Sequence, residues 1–463
     1  MNTVIDTINM KPDITGLKYD ATESSPRRGF ISVSSKSEDR ELTVTGRQML
    51  SSQGRDLLRN LSLAGFAIRK HNQYVAKGTF NCSIPGQPEY NDRIKRYIYI
   101  WSRRSNCDIS GRHSLRKMLN LIETHRVIDG DVAVLKIRNG KLQLIESDRI
   151  RNPLSDLKGD GWEWVQGVKI GNNVQAWKYC IHKRNDGGGF TPEREINAEN
   201  IILVGYHNRI DQIRGVSLLA PAINQFRDIY EGIDYALAKA KVAQLLGFAT
   251  ITNAGNYGMT SEQDDAVEEH HKQLEKFGKG VMHLDLRDGE DVKLLNDATP
   301  STQFQQFVQT VIQIALSALD LPYIMYDSTK GNYYGIKGAV DDYIEACNEK
   351  QEQLIDMLNE ITDWRLRLAI ADGELPLPPN GMSIEDMLWY CDWTGTRLPY
   401  WRMLEDAKDM LLSIQTGILS PQKITNMYGI DFDENLAEIK QAVEIARKLD
   451  VTLPYSQTLN IGV

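Results

Sequence analysis

The sequence predicts an α+β protein in which a strand-rich middle segment gives way to long helices. Three observations carry this expectation. Between Asp131 and Val204 the apolar residues come in short β-branched runs, broken by Asn-Gly and glycine-rich turns. After Gly215 they recur at i, i+3 and i+4 over stretches too long for strands. At 463 residues the chain exceeds one ordinary core, so it should pack as two or more regions.

Taken in order, residues 1–45 are polar, with Ser24-Ser25-Pro26-Arg27-Arg28-Gly29 in their middle, and read as an arm. From Arg47 to Ile68, Leu50, Leu57, Leu58 and Leu61 fall at helical spacing. The stretch Arg93–Arg104 is basic and aromatic. Nucleic-acid binding by stacked aromatics is one reading; the alternation of Tyr97, Tyr99 and Trp101 with Ile98 and Ile100 favours a plain strand. A helix follows from Ser114 to His125. Asp131–Ile137 and Leu142–Ile145 flank Asn139-Gly140, a type I′ hairpin signal because both central residues need positive φ. A second hairpin is expected at Gly171-Asn172-Asn173, and a third strand, Ile201–Val204, after Gly187-Gly188-Gly189.

The next helix, Leu218 to Leu246, has an apolar face of Leu219, Ile223, Phe226, Ile229, Tyr230, Ile233, Leu237 and Ala240. A mixed insert over residues 250–298 holds an acidic helix, Ser261–Phe277, and strands at Val281–Leu284 and Val292–Leu295. Thr299-Pro300 opens a second long helix that ends before Pro322, and a third runs from Lys337 to Ile370. In the tail one helix ends at Gly417, Ser420-Pro421 starts another, Gly429 stops it and Asp433 caps the last.

Composition narrows the functional classes. Hydrophobic residues at 41% and charged residues at 25% are globular values, so no large part must be disordered. The net charge of −8 argues against tight general DNA binding but leaves weak contact with moving DNA. Five scattered cysteines without a CxxC pair fit neither a disulfide framework nor a zinc site. The first residues show no signal pattern, and no apolar run approaches a membrane span, so no membrane role is expected. His270-His271 with His283 and Glu268 matches no zinc spacing. Asp129-Gly130-Asp131 suits a turn better than a two-carboxylate metal site. Gly187-Gly188-Gly189 lacks the Gly-Lys-Ser/Thr ending of a phosphate loop. No catalytic residue, metal or cofactor is expected.

The helix Ser301–Leu319 is unusual. Phe304, Phe307, Val308, Val311, Ile312, Ala315 and Leu319 form its apolar face. The opposite face, Gln305, Gln306, Gln309, Thr310, Gln313 and Ser317, carries no charge. Solvated helix faces normally carry Lys and Glu. An amide and hydroxyl face suits a subunit contact, or a passage where phosphates must not be held; it also suits an ordinary buried helix with a polar edge.

Several segments, in order, resemble the lambda-type phage portal family. They are Asp129-Gly130-Asp131, Ile145 to Pro153, Arg209 to Ser217 and Leu219-Ala220-Pro221-Ala222, then Leu321-Pro322-Tyr323, Asn332-Tyr333, Gly417 to Ser420 and Tyr428 to Asp431. The resemblance spans roughly residues 45–450. It departs at Ser217, where the family usually has proline, and at Tyr333-Tyr334-Gly335-Ile336-Lys337 in place of Tyr-Ser-Ser-x-Arg, which suggests a looser loop there.

The resemblance implies a portal fold and a non-catalytic role: a ring of typically about twelve subunits at one capsid vertex of the virion. It would be the channel for DNA packaging and ejection. Its implied partners are the terminase large subunit, then a head–tail adaptor, with the major capsid protein around it and double-stranded DNA passing weakly and non-specifically through it. The implied divisions are a β-containing wing over 1–217, stem helices 218–248 and 299–321 around a small mixed α/β clip 249–298, a tunnel loop, long helix and remaining wing over 322–399, and a helical crown 400–463. The tunnel loop would be Asp327–Ile336. Lys330 and Lys337, with Gln309 and Gln313, are the candidate channel residues. A metal-dependent nuclease using Asp129 and Asp131, and a head–tail adaptor, are the competing readings; adaptors are usually much shorter and would lack the helix–insert–helix order.

Overall fold

In the computed structural model of the protein, the described residues are 36–154, 159, 161–245, 249–252, 290–293, 302–395, 403–427, 430, 432–451 and 453. Residues 1–35 of the arm expected over 1–45, the acidic helix at 261–277, the strand at 281–284, the histidine group and Thr299-Pro300 lie outside them; the rest of that arm is helical at Glu38–Glu41 and from Val44.

The chain opens with a short helix α1 (Glu38–Glu41) and then α2 (Val44–Asn60), whose N-cap Thr43 accepts from the Gly46 amide at 3.1 Å. Leu61 is extended, with φ −109° and ψ 109°, so the single helix expected over Arg47–Ile68 is two, α2 and α3 (Ser62–Val75). The bend lets Leu57 and Leu61 reach the same core as Ala64 and Ile68.

β1 (Thr79–Cys82) leads to α4 (Pro88–Trp101) and the short α5 (Arg104–Cys107). The strand expected at 93–104 is therefore a helix. Ile94, Ile98 and Trp101, at i, i+4 and i+7, are its buried residues, and Pro88 sits in its first turn. The local alternation of aromatic and aliphatic residues misled because Tyr99 and Ile100 are both solvent-exposed.

α6 (Leu115–Asp129) starts at its cap Ser114 as expected but runs a turn further, ending at Gly130 with φ +94°. β2 (Asp131–Ile137) and β3 (Lys141–Glu146) form the hairpin across Asn139-Gly140. β4 (Trp162–Val165), β5 (Val168–Gly171), β6 (Ala176–Arg184) and β7 (Phe190–Asn197) make an antiparallel meander, with the expected hairpin between β5 and β6. β7 was not foreseen: Phe-Thr-Pro-Glu-Arg-Glu-Ile-Asn is almost wholly exposed and polar, an edge strand held by pairing to β6 rather than by burial. β8 (Ile201–Gly205) joins β2 to complete the order β3-β2-β8.

A 3₁₀ turn at Ala220–Ala222 precedes α7 (Ile223–Leu245), so the helix begins later than Leu218. β9 (Ala249–Thr252) and β10 (Glu290–Lys293) pair antiparallel between α7 and α8 (Thr302–Ser317). α9 (Tyr333–Ala371) is 39 residues long, then α10 (Ile384–Leu388), β11 (Cys391–Thr394) pairing with β1, and α11 (Met403–Gln415), α12 (Pro421–Met427) and α13 (Phe432–Lys448). Asp433 lies inside α13 rather than capping it.

Three apolar clusters hold these elements. The largest gathers α2, α3, α6, one face of β2, the first half of α7, the last turns of α8 and the middle of α9. A second packs α4 and β1 against Leu366, Ala369 and Ile370 near the end of α9, with α10 and β11. The third lies between the β3-β2-β8 sheet and the meander. β2 serves two of them: Val132 and Val134 face the helices, while Ala133 and Leu135 face the meander. That is why its apolar run is continuous rather than alternating.

Candidate functional site

Three of the segments quoted from the sequence, around Asp131, Ser147 and Arg214, converge on one buried knot of charge. Arg214 is 1% exposed. Its Nε donates to Asp131 Oδ2 at 2.7 Å and its Nη2 to Asp131 Oδ1 at 2.9 Å, a bidentate pair. The same Nη2 also donates to Ser147 O at 3.0 Å and Ser147 Oγ at 2.9 Å. Nη1 donates to Gln166 O at 2.6 Å and Ile150 O at 3.2 Å. The Gly215 amide donates to Asp131 Oδ2 at 2.9 Å, and Arg47 reaches Gln166 Oε1 at 2.7 Å and the Gly215 carbonyl. Asp39 accepts the amides of Ile213 at 2.6 Å and Arg214 at 3.0 Å. Burial raises the Asp131 pKa, but the Arg214 charge and hydrogen bonds outweigh it and hold the carboxyl down at about 2. Burial, with Arg214 alongside, lowers Arg47 to about 10.

Asp129 points elsewhere. It takes two bonds from Arg55, each 2.9 Å, and one from His125 Nδ1 at 2.7 Å. Asp129 and Asp131 are thus spent on separate cationic partners, and no group of His, Cys, Asp or Glu that could hold a metal occurs among the described residues. Gly130 closes the arrangement. A Cβ there would lie 2.5 Å from the Gly215 carbonyl oxygen, so the two backbones touch only because both residues are glycine. The sequence marked these residues but gave no sign that they meet.

A second buried network ties α3 to α6. His71 Nε2 lies 2.9 Å from Glu123 Oε1, and Arg126 Nη1 is 2.8 Å from Glu123 Oε2. Burial raises the Glu123 pKa, yet Arg126 and His71 bring it down to about 2.

The long helices behave differently along their length. Leu219, Ile223, Phe226 and Ile229 are buried against Ile312, Ala315, Leu316 and Leu319. Beyond that contact the expected apolar face of α7 is bare: Tyr230 is 56%, Ile233 50% and Leu237 50% exposed. On α8, Phe307, expected inward, is 65% exposed. Gln305, Gln306, Thr310, Gln313 and Ser317 face solvent, and Gln309 is half-buried. Thr310 and Ser317 turn their hydroxyls onto their own helix, to Gln306 O at 3.0 Å and Ile314 O at 2.7 Å, so the amides carry that face's bonding capacity. The apolar side of α8 is in the core and its uncharged side is exposed.

Lys330 ends a 3₁₀ turn, Ser328–Lys330, and Lys337 lies half-buried in the first turns of α9. The loop expected over Asp327–Ile336 is shorter, because α9 already begins at Tyr333. Lys350 reaches Asp320 at 2.6 Å and fastens the chain leaving α8 to α9.

Residues 25–351 match the profile of a family described as phage portal protein, lambda family. The chain belongs to that family. A probable portal protein of Halomonas phage phiHAP-1 is 23% identical over 382 residues, covering 79% of this chain and 73% of that one. Among solved structures, a chain in the neck of an empty gene transfer agent particle has a TM-score of 0.45 at 14% identity, covering 82% of this chain and 93% of that one. A phage portal protein of the HK97 family from Corynebacterium diphtheriae has a TM-score of 0.31 at 12% identity, covering 61% and 81%. The portal family is a structural one, not an enzyme family.

The two departures from the portal pattern have local substitutes. Where proline is usual, Ser217 Oγ donates to Val127 O at 2.8 Å and accepts the Leu219 amide at 3.1 Å, pinning the entry to α7 on α6. Where serines are usual, Asn332 caps α9 by accepting the Gly335 amide at 2.8 Å. A Cβ at residue 335 would lie 2.9 Å from Asn332 Oδ1, so glycine permits this cap rather than loosening it.

Proposed function

We propose that this portal protein works as a closed homo-oligomeric ring, of about twelve copies, whose channel passes double-stranded DNA into and out of a virion. The observation that carries the reading is the bare apolar stripe of Tyr230, Ile233 and Leu237 on α7, at i, i+3 and i+7. A family member with such a stripe on a long helix needs another surface against it, and a second copy supplies one in a closed ring.

In this reading α7 and α8 are the stem, the β9–β10 segment belongs to the clip, α11–α13 form the crown, and residues 1–217 with the end of α9 form the wing. Gln309 and Gln313 lie towards the neighbour or the channel, where amides bond without holding phosphate. Lys330 and Lys337 touch passing phosphates weakly. The terminase large subunit, then a head–tail adaptor, dock on the clip, and the major capsid protein surrounds the wing. The test is mass measurement and particle imaging of the purified protein. Closed rings are expected for the wild type and their loss for Ile233→Asp; a monomer at all concentrations and salts would remove the reading.

A further inference from the structure

The basic stretch after Arg93 is not absorbed by that function. Residues 93–117 contain eight arginines and lysines and one acid, in a chain of net charge −8. The fold gathers rather than disperses them. The Leu115 amide donates to Ser102 O at 2.9 Å, so the start of α6 returns to the end of α4. Arg116 and Lys117 are thereby brought beside Arg103 and Arg104. The one acid, Asp108, is buried and fully occupied: it accepts the amides of Ser110 at 3.1 Å, Arg112 at 3.0 Å and His113 at 2.9 Å, with the Ser110 hydroxyl. Its charge shapes the loop instead of offsetting the surface.

Arg93, Arg96, Arg103, Arg104, Arg112, Arg116 and Lys117 are all exposed. Among the described residues none of them is in a salt bridge. On α4, Arg93 and Arg96 are one helical turn apart, and Arg103 follows just beyond the helix end at Trp101. Tyr99 is 65% exposed, with the Arg103 guanidinium 5.1 Å from its ring centroid.

The α4 end of this face lies away from the candidate channel residue Lys337. Ile94 and Ile98 of α4 pack with Leu366, Ala369 and Ile370, near the C-terminal end of α9. Lys337 is at the other end of the same helix, about 45 Å away at ~1.5 Å per residue.

We propose that the α4–α6 basic face is a second, sequence-independent site for the phosphodiester backbone of double-stranded DNA lying outside the channel. The partner follows from the chemistry: clustered, unpaired guanidinium groups suit a polyanion of regularly spaced phosphates. It rests on the portal reading above only for why the chain meets DNA.

The experiment uses assembled wild-type rings and relaxed closed-circular DNA, which has no end to thread and so reports the outer face alone. Binding is measured by filter retention from 50 to 200 mM NaCl. The triple variant Arg103→Gln, Arg104→Gln, Arg116→Gln should bind at least about tenfold more weakly at 100 mM, with the log–log salt slope shallower by about 2 to 3. Lys replacements at the same three positions should keep both values, because a phosphate contact needs charge rather than shape. Lys330→Gln with Lys337→Gln should leave circular-DNA binding unchanged. Unaltered affinity and slope in the glutamine variant overturn the proposal. So does loss of rings without loss of DNA affinity, which would assign the patch to an acidic face of a neighbouring copy. Absence of rings in the wild type would instead sink the ring reading, leaving the DNA measurement to judge this one.

Discussion

Replacing Arg214 with alanine is expected to destabilise the protein by about 4 kcal/mol. The side chain is 1% exposed and makes six hydrogen bonds, two of them to Asp131, which is 0% exposed. Alanine removes the pair's cation and leaves Asp131 with Arg47 at 4.0 Å as its nearest charged partner. Breaking a buried, hydrogen-bonded pair from one side typically costs ~3–5 kcal/mol, because the remaining charge stays buried. For a cooperative unit of ~200 residues that is a fall in Tm of roughly 10 °C. Thermal and urea unfolding of wild type, Arg214→Ala, Asp131→Ala and the double variant give the coupling directly. The double variant should be far less unstable than the sum of the singles. Arg214→Lys should rescue little, since one ammonium cannot fork onto Asp131 while reaching Ser147, Ile150 and Gln166. A loss below ~1 kcal/mol, or an additive cycle, would refute the knot as a structural keystone.

Acid should unfold the protein between pH 4 and pH 2. Asp131 and Glu123 both have folded pKa values lowered to about 2, so their contribution is complete above the unfolded values near 4 and is lost as pH falls through 2. A circular-dichroism titration that stays flat to pH 2 would contradict this. Gly130→Ala should cost several kcal/mol, since it meets both a φ of +94° and the Gly215 carbonyl; soluble yield and Tm report it. Gln309→Glu with Gln313→Glu should impair ring assembly or DNA packaging, and normal rings that package normally would return that face to an ordinary solvated surface. Cys82 and Cys391, with Sγ atoms 3.0 Å apart and both buried, should resist alkylation in the native protein and react after denaturation; rapid native labelling would show that strand pair to be open.

Much of the secondary structure was legible because its signals are local. Asn139-Gly140 marks a hairpin through its own backbone preferences, and Pro421 after Ser420 marks a helix start. The errors came where local signals were neutral. Tyr97 to Ile100 reads as a strand by alternation, and only the packing of Ile94 and Ile98 on the end of α9, with Trp101 in the main core, selects a helix. β7 has no apolar pattern, so its place depends on hydrogen bonds to β6 that no composition encodes. The Cys82–Cys391 neighbourhood, 309 residues apart, was out of reach for the same reason.

The channel candidates show the same division. The uncharged face of α8 is a property of the sequence, because helix periodicity alone puts Gln305, Gln309 and Gln313 along one side. So is the order of long helix, insert and long helix, and the presence of the portal motifs. What the tertiary structure decided is where those features meet. Asp131 and Arg214 are 83 residues apart in the chain, and their pairing exists only because β2, β8 and the turn after Ser147 bring a carboxylate, a guanidinium and three carbonyls into one dry volume. A charge has no directional signature in sequence; its value is set by burial and by what it faces. The same holds in reverse for the basic run after Arg93, which is exposed because α4 turned its apolar side to α9.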